Sequence, residues 1–386
     1  MTKTRGPQNS PLTTRNSKMA FGVIDCHAHI FPPAGGASGF ASADLHRLHQ
    51  QRAMHMHGNQ PYRRLSDNEI VTERMLWDAN DPSPAGAKDV SFSAGRFGRF
   101  QWQKDAESYY VQFLPPWMED LSMSADKLVA LMDHAGIATA ILQNDHIYGN
   151  LAEDFAEAAL RYPHRFAGLA QIEEAFAYKD EEIERLNDQI TRLKMAGLYF
   201  TTTGLFRGGY KPLHSDKIYD PFWAEVERLN IPVSWVQSAR SPVGTYEDEL
   251  RHLEVIIGKF PKIQHVLVHG LPTSLYADEK GKLALPSIAR SLMTDAPVTA
   301  ELLYPIAVGG KQAYPYAKMH THIQQLIDTF GSGRFMWGSD SPNVERYCTY
   351  EQSLSYFTAH FGHLPAADLR AILRDTALRV YPGLAR

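Results

Sequence analysis

The sequence has little cysteine, no long apolar run and no large excess of charge of either sign. Its only two cysteines, Cys26 and Cys348, cannot form a disulfide framework, and their scarcity fits a reducing, cytoplasmic environment. No stretch approaches the roughly 18 consecutive apolar residues of a membrane-spanning helix. A net charge of -4 provides no basic surface to attract nucleic acid. These absences are typical of a soluble globular protein that binds neither membranes nor nucleic acid.

Residues 1–20 have the composition of a disordered tail. They contain basic residues, Ser and Thr, but no acidic residue and no apolar core, which argues against a secretory signal. An organellar transit peptide is the alternative, but Pro7 and Pro11 would break the amphipathic helix that it needs. We therefore expect residues 21–386 to form a single metal-dependent barrel domain after this tail.

From about residue 124 onward, short β-branched runs alternate with helical segments. This alternation is typical of βα units that build a parallel sheet, and a further strand is predicted at residues 21–26. The other predicted strands are residues 137–143, 166–172, 198–202, 231–237, 263–269, 298–303 and 335–339. Eight strands in one chain of this length predict an α/β fold, the closed (β/α)8 TIM barrel.

Residues 35–122 do not fit this alternation. A barrel needs only a short loop after its first strand, so this segment predicts an insertion over the C-terminal face, where barrel active sites lie. Within it, residues 95–102 and 109–114, on either side of a charged turn, predict a hairpin. The aromatic residues of the insertion suit either a substrate lid or an oligomer interface.

The most informative motif is His27-Ala28-His29 at the end of the first predicted strand. Residues two apart on a strand point the same way, so both imidazoles, with Asp25 behind them, should face one side while Cys26 faces the other. If that side is the barrel interior, two imidazoles converge near the C-terminal end of the strand. The motif therefore predicts a divalent-metal site.

Two other His-X-His pairs lack this geometry. His55 and His57 lie in a stretch without an apolar run. His320 and His322 lie in a predicted helix, where a two-residue step turns the side chains about 200° apart. Neither pair is expected to chelate a metal.

Three further strands carry residues that could complete the site. Asp340 follows the eighth strand, where it could bind a metal or take a proton from its water, or instead cap the next helix. His269 ends the sixth strand, and its alternative is a hydrogen-bonded interior histidine. Glu301 lies within the seventh strand as either a site residue or half of an outward-facing ion pair.

These motifs resemble the amidohydrolase-related family of the amidohydrolase superfamily, of the aminocarboxymuconate-semialdehyde decarboxylase type. The resemblance covers residues 20–30 and 124–384 but not the insertion. It implies that His27, His29 and Asp340 bind one divalent metal, with zinc favoured over manganese or iron, and that His269 assists catalysis. Relatives of this type decarboxylate, hydrolyse or hydrate small, often aromatic or unsaturated carboxylates, and dimers are usual among them.

Two features depart from the family pattern. The fifth strand ends without the expected metal-binding histidine, and the fourth lacks the lysine that binuclear members carbamylate. A binuclear centre is therefore not expected. Three protein ligands plus water would form an open catalytic site, whereas recruiting His269 or Glu301 as a further metal ligand would give four ligands and a closed, structural site.

Two hypotheses follow from this choice. In the first, the chain is a metal-dependent lyase or hydrolase for a small carboxylate, in which Asp340 or His269 moves the proton and an arginine binds the substrate carboxylate. Arg240 is the first candidate for that arginine, ahead of Arg207 and Arg346. In the second, the chain is an accessory subunit of a hetero-oligomeric metalloenzyme, such as a metal-dependent hydroxylase. A homodimer or a hetero-oligomer with a paralogous subunit is expected.

Overall fold

The computed structural model describes residues 21–57, 60–238, 241–303, 314–360 and 363–385. The predicted tail at residues 1–20 and the candidate Arg240 lie outside these ranges. No helix within the described ranges has both the length and the apolar character needed to span a membrane.

Eight parallel strands form the predicted barrel. In chain order they are Val23–Ala28, Ile137–Leu142, Phe166–Gly168, Leu198–Thr201, Val233–Val236, His265–Leu267, Val298–Leu303 and Phe335–Gly338. The first three pair in chain order as one sheet and the last five as another. Isolated parallel bridges join the two sheets, Ala28 to Ser341 on one side and Ala170 to Leu198 on the other. The (β/α)8 prediction is confirmed.

Helices cover the outside of the ring, as the alternation predicted. They are Ala125–Ala135, Ala152–Arg161, Asp180–Thr191, Asp220–Leu229, Tyr246–Lys259, Ser287–Asp295, Ala317–Phe330, Tyr350–His360, Ala366–Arg370 and Thr376–Val380, the last two joined by the π-helical turn Ala371–Asp375. Local sequence explains several ends: Ser124 caps one helix through the N–H of Lys127, and Gly136 ends it with a left-handed φ of 75°. Thr245 and Asp248 form a reciprocal capping box.

Several strands are shorter than predicted because their last residues leave the hydrogen-bonded ladder. The sixth strand covers His265–Leu267 rather than residues 263–269. His269 and Gly270, with φ of 64° and 73°, turn the chain at the barrel rim. The residues that leave the ladder are those that reach the mouth of the barrel.

The first strand contains a β-bulge between Asp25 and Ala28, the stretch that includes His27. Asp25 pairs with Ala140 and Ala28 with Leu142, so three steps along the first strand oppose two steps along the second. One extra residue between these pairs breaks the simple alternation of side chains.

The bulge overturns two predicted orientations. Cys26 was expected to face away from the barrel interior, but it packs in one buried cluster with Val266 of the sixth strand and Met336 of the eighth. Side chains of the first and sixth strands can pack together only inside the ring, so Cys26 faces inward. Asp25 was expected to face inward behind the histidines. It instead accepts a hydrogen bond from Tyr350 Oη at 2.8 Å, on an outer helix.

Within the described residues, the insertion forms an α-helix, the 3-10 turn Pro84–Gly86 and a small antiparallel sheet. The helix, Ala43–Met56, is called the insertion helix below. The sheet strands are Tyr62–Arg64, Ile70–Val71, Ser93–Ala94, Arg99–Lys104 and Glu107–Gln112. The predicted hairpin is confirmed: Arg99–Lys104 pairs with Glu107–Gln112 around Asp105 and Ala106, whose φ angles of 51° and 65° suit a type I′ turn.

We predict that Gly338→Ala destabilises the protein. A Cβ at Gly338, the last residue of the eighth strand, would lie 2.7 Å from His27 Cβ and 3.2 Å from Cys26 Sγ. The crowding should cost about 1–3 kcal/mol of unfolding free energy, measured by urea denaturation. Gly333→Ala is the matched control, because a Cβ there meets no atom within 4 Å. Equal stability of the two variants would contradict the packing described.

Candidate metal centre

Three buried donor side chains meet at the mouth of the barrel: His27, His29 and Asp340. Nε2 of His27 lies 3.0 Å from Nε2 of His29. Oδ1 of Asp340 lies 3.1 Å from Nε2 of His29 and 3.6 Å from Nε2 of His27. Two histidines of the first strand and an aspartate from the far end of the chain therefore form one compact triangle.

Backbone hydrogen bonds between the first and eighth strands create this triangle. The N–H of His29 donates to Ser341 O at 2.9 Å, and the N–H of Asp340 donates to His27 O at 2.8 Å. Asp340 has a left-handed φ of 60°, which turns the chain at the rim and sets the direction of its carboxylate. We call this pairing of the two strands the ligand seam.

Asp25 fixes the ligand seam from the outer side. Its Oδ1 accepts the N–H of His27 at 3.0 Å and the N–H of Ser339 at 2.9 Å. Its Oδ2 accepts the Ser339 hydroxyl at 2.6 Å. One buried carboxylate therefore bonds to both strands next to the candidate ligands, so Asp25 acts as a structural residue.

Acceptors behind the two imidazoles fix their orientation. Nδ1 of His27 lies 2.8 Å from Glu301 Oε2, and Nδ1 of His29 lies 2.9 Å from Gln143 O. Because these oxygens only accept, each neutral ring carries its proton on Nδ1 and presents an Nε2 lone pair to Asp340. The Gln143 amide donates to Glu301 Oε1 at 2.5 Å and so fixes this carboxylate as well.

The electrostatics of the triangle favour a cation. Burial lowers the pKa of His27, but Glu301 outweighs it and raises that pKa to about 9. Burial raises the pKa of Asp340, but the imidazoles of His29 and His27 outweigh it and hold that pKa well below its usual range. Two imidazole nitrogens and a carboxylate in mutual contact need positive charge among them, which either the second proton of His27 or a bound cation can supply.

The dimensions of the triangle also fit a small divalent ion. Ligands on a tetrahedral ion with bonds of about 2.1 Å lie about 3.4 Å apart. The donor atoms of His27, His29 and Asp340 are separated by 3.0, 3.1 and 3.6 Å. Two imidazoles and one carboxylate form a donor set suited to zinc, with a fourth position left for water or substrate.

Of the other predicted site residues, Glu301 and His269 lie beside the triangle without joining it. Glu301 contacts His27 through Nδ1, away from the nitrogens that face Asp340, and also accepts the N–H of His269 at 3.0 Å. The His269 ring stacks on that of His27, with centroids 5.4 Å apart. Burial lowers the pKa of His269, and the His27 charge lowers it further.

Asp340 does not act as the helix cap that was its alternative role. The 3-10 turn Asn343–Arg346 begins after Pro342 without a side-chain cap. The Asp340 carboxylate instead accepts from the Asn343 side-chain amide at 2.9 Å, on the same oxygen that faces His29.

A cavity of about 240 Å³ opens onto the triangle. Its walls come from the barrel loops and the insertion, and they include His269, Met56, Phe113, Tyr148, Tyr199, Gln237, Asn343 and Arg346. Phe113 places the insertion in the pocket wall. Sequence reasoning missed Tyr148 and Gln237. Gln237 directly follows the fifth strand, so a search of every strand's C-terminal end would have found it.

The structure separates the candidate arginines. Arg346 lines the cavity, and its Nη1 is buried with no hydrogen-bond partner within the described part of the chain. Its Nε donates to Asn343 O at 3.1 Å, which fixes the guanidinium. Arg207 lines a different cavity and donates to Glu173 at 3.1 Å.

Comparison with known proteins gives a family and a fold. Residues 24–383 match a family model described as amidohydrolase. The γ-resorcylate decarboxylase of Rhodococcus jostii (strain RHA1) is 37% identical over 81 residues, which are 20% of this chain and 24% of that protein. The match therefore spans about a quarter of the length of this relative.

Solved structures share the barrel at low sequence identity. An uncharacterised TIM-barrel protein from Bordetella bronchiseptica is 18% identical with a TM-score of 0.52, covering 95% of this chain and 100% of that one. A probable 2-pyrone-4,6-dicarboxylic acid hydrolase from Acinetobacter baumannii is 17% identical with a TM-score of 0.51, covering 68% of this chain and 90% of that one. These similarities support the fold alone.

We predict that Glu301→Gln weakens metal binding about 10- to 100-fold, because it removes the carboxylate that orients His27. The affinity is measured by zinc competition with a chromophoric chelator. Glu249→Gln is the matched control, since Glu249 is also 1% exposed but lies on the helix Tyr246–Lys259. An unchanged affinity in Glu301→Gln would contradict the orienting role.

Proposed function

The chain belongs to the amidohydrolase family of enzymes, and we propose that it is a metal-dependent decarboxylase of small, hydroxylated aromatic carboxylates. The observation that carries this proposal is the donor set of His27, His29 and Asp340 in the wall of a cavity that also presents a guanidinium nitrogen of Arg346. This nitrogen is buried and has no hydrogen-bond partner among the residues that the structure describes. A guanidinium binds carboxylates through paired, charge-assisted hydrogen bonds.

The remaining cavity walls suit an aromatic ring with a hydroxyl group. Phe113 and Tyr148 supply aromatic surface. Oε1 of Gln237 is buried without a hydrogen-bond partner within the described ranges, so it is available to accept a substrate hydroxyl. The name of the Rhodococcus relative, γ-resorcylate decarboxylase, supports the same substrate class.

The residues divide the chemistry among them. His27, His29 and Asp340 would hold a divalent ion, which when bound would supply positive charge to polarise a substrate oxygen. Arg346 orients the carboxylate, and Phe113 keeps water from that end of the cavity. As the bond between ring and carboxylate breaks, CO₂ leaves and the electron pair remains on the ring carbon, where the imidazolium form of His269 donates a proton. Because burial and His27 lower the pKa of His269, this protonated form needs the negative charge of the bound substrate beside it. Solvent then returns the proton to His269.

Alternatives remain for the metal, for the reaction and for the role of the chain. Zinc is the favoured metal, with manganese and iron as alternatives. Hydrolysis of an ester or lactone is the competing reaction at this donor set. An accessory subunit would need a closed four-ligand site, and the contact of Glu301 with Nδ1 of His27 argues against it. The oligomeric state and the cytoplasmic location stay predictions.

We predict CO₂ release from benzoates that carry a hydroxyl next to the carboxylate. The protein is stripped of metal, reloaded with zinc, manganese or iron(II), and assayed by chromatography for the decarboxylated phenol. His29→Gln should lower kcat/KM at least 100-fold, because it removes a ligand. Hydrolysis of lactones without CO₂ release would replace the proposal with a hydrolase. No turnover with any metal until a paralogous subunit is added would favour the accessory subunit.

Arg346→Gln tests the substrate class within this assay. Loss of a charged hydrogen bond of about 1.5–3 kcal/mol should raise KM roughly 10- to 100-fold, with a smaller change in kcat. Arg251→Gln is the matched control and should leave KM unchanged, since Arg251 is exposed on the helix Tyr246–Lys259. Arg207→Gln tests the alternative arginine and should have a smaller effect than Arg346→Gln, since Arg207 lines the other cavity. A larger effect of Arg207→Gln would transfer the carboxylate-binding role to that residue.

A further inference from the structure

A second cluster of metal-ligating side chains lies between the insertion and the barrel. His49 belongs to the insertion helix, His146 follows the second strand and Glu173 follows the third. Their donor atoms lie within 4.8 Å of one another. Nε2 of His49 is 3.5 Å from Glu173 Oε1, and the rings of His49 and His146 have centroids 4.6 Å apart.

Two of these donor atoms have unmet bonding capacity. Nε2 of His49 and Oε1 of Glu173 are both buried, and apart from their mutual contact at 3.5 Å, which is long for a hydrogen bond, neither has a hydrogen-bond partner among the residues that the structure describes. The His49 residue is only 3% exposed, so bulk water does not satisfy its nitrogen. Buried polar atoms without partners are rare in folded proteins, and two of them facing each other indicate a group that binds between them.

The surrounding side chains hold the donors in place. Arg207 donates to Oε2 of Glu173 at 3.1 Å, which leaves Oε1 directed at His49. Oε2 of Glu174 lies 2.6 Å from Nε2 of His146, the carboxylate–histidine arrangement that orients a metal ligand. Nδ1 of His146 accepts from the Gln171 amide at 2.9 Å, so the Gln171 side chain has to turn away when this ring binds an ion.

A route from solvent reaches this cluster. A separate cavity of about 300 Å³ is lined by His146, Glu173, Gln171 and Arg207. An ion can therefore enter without passing through the cavity above His27 and His29.

We propose that His49, His146 and Glu173 form a second divalent-cation site of the zinc type. Two imidazoles and a carboxylate are a zinc donor set, and here they come from the insertion helix and two barrel loops. The ion fixes the insertion to the barrel. It also holds one wall of the first cavity, because Asp145 and Ile147, on either side of His146, line that cavity.

The test is the zinc content of dialysed protein, measured by mass spectrometry after removal of all metal and reloading with zinc alone. The wild-type chain should hold two zinc ions. His49→Gln and Glu173→Gln should each hold one, and His29→Gln should also hold one but lose the other ion. His46→Gln is the matched control and should keep two, because His46 lies on the same helix with both ring nitrogens near the carbonyls of Gly36 and Ile147.

Thermal unfolding provides a second measurement. Zinc should raise the Tm of His29→Gln, which keeps the second site, and the combination of His29→Gln with Glu173→Gln should lose this increase. Unchanged zinc content in both His49→Gln and Glu173→Gln would overturn the second site and leave the first intact. Unchanged zinc content in His29→Gln would instead count against the first site.

Discussion

The pairing of the first strand with the end of the eighth is the constraint on which the candidate site depends. It brings His27 and His29 against Asp340 through two backbone hydrogen bonds, and Asp25 locks both strands from the outer side. The same pairing closes the barrel at Ala28 and Ser341. The closure of the ring therefore also assembles the donor triangle. This explains how Asp340 comes to lie beside His27 and His29, which are far from it in sequence.

A layer of hydrogen-bond acceptors orients the side chains of this candidate metal site. Glu301 and the carbonyl of Gln143 accept hydrogen bonds from Nδ1 of the two imidazoles, so that Nε2 of each ring faces Asp340. The cavity above supplies groups suited to binding a substrate: aromatic surface, the guanidinium of Arg346 and the amide oxygen of Gln237, which has no hydrogen-bond partner within the described ranges. The insertion contributes part of this wall, so it acts as part of the site as well as its cover.

The barrel, most element boundaries and the residues of the triangle were predictable, because strand periodicity and strand ends are local signals. The directions of the Cys26 and Asp25 side chains were not predictable, because a single bulge residue reverses the alternation of a strand and the amino-acid composition gives no sign of it. Arg346 was only the third candidate for binding the substrate carboxylate. Packing, and not sequence, reveals that its Nη1 is buried without a hydrogen-bond partner among the described residues. The cluster of His49, His146 and Glu173 was not predicted from the sequence, because its members come from three separate segments that share no motif.

The most direct measurement is anomalous diffraction at the zinc edge from crystals of the metal-loaded protein. The account predicts a peak about 2.1 Å from Nε2 of His27, Nε2 of His29 and a carboxylate oxygen of Asp340, with Glu301 still bonded to Nδ1 of His27. Zinc bound elsewhere while these three donors remain in contact with one another alone would contradict it.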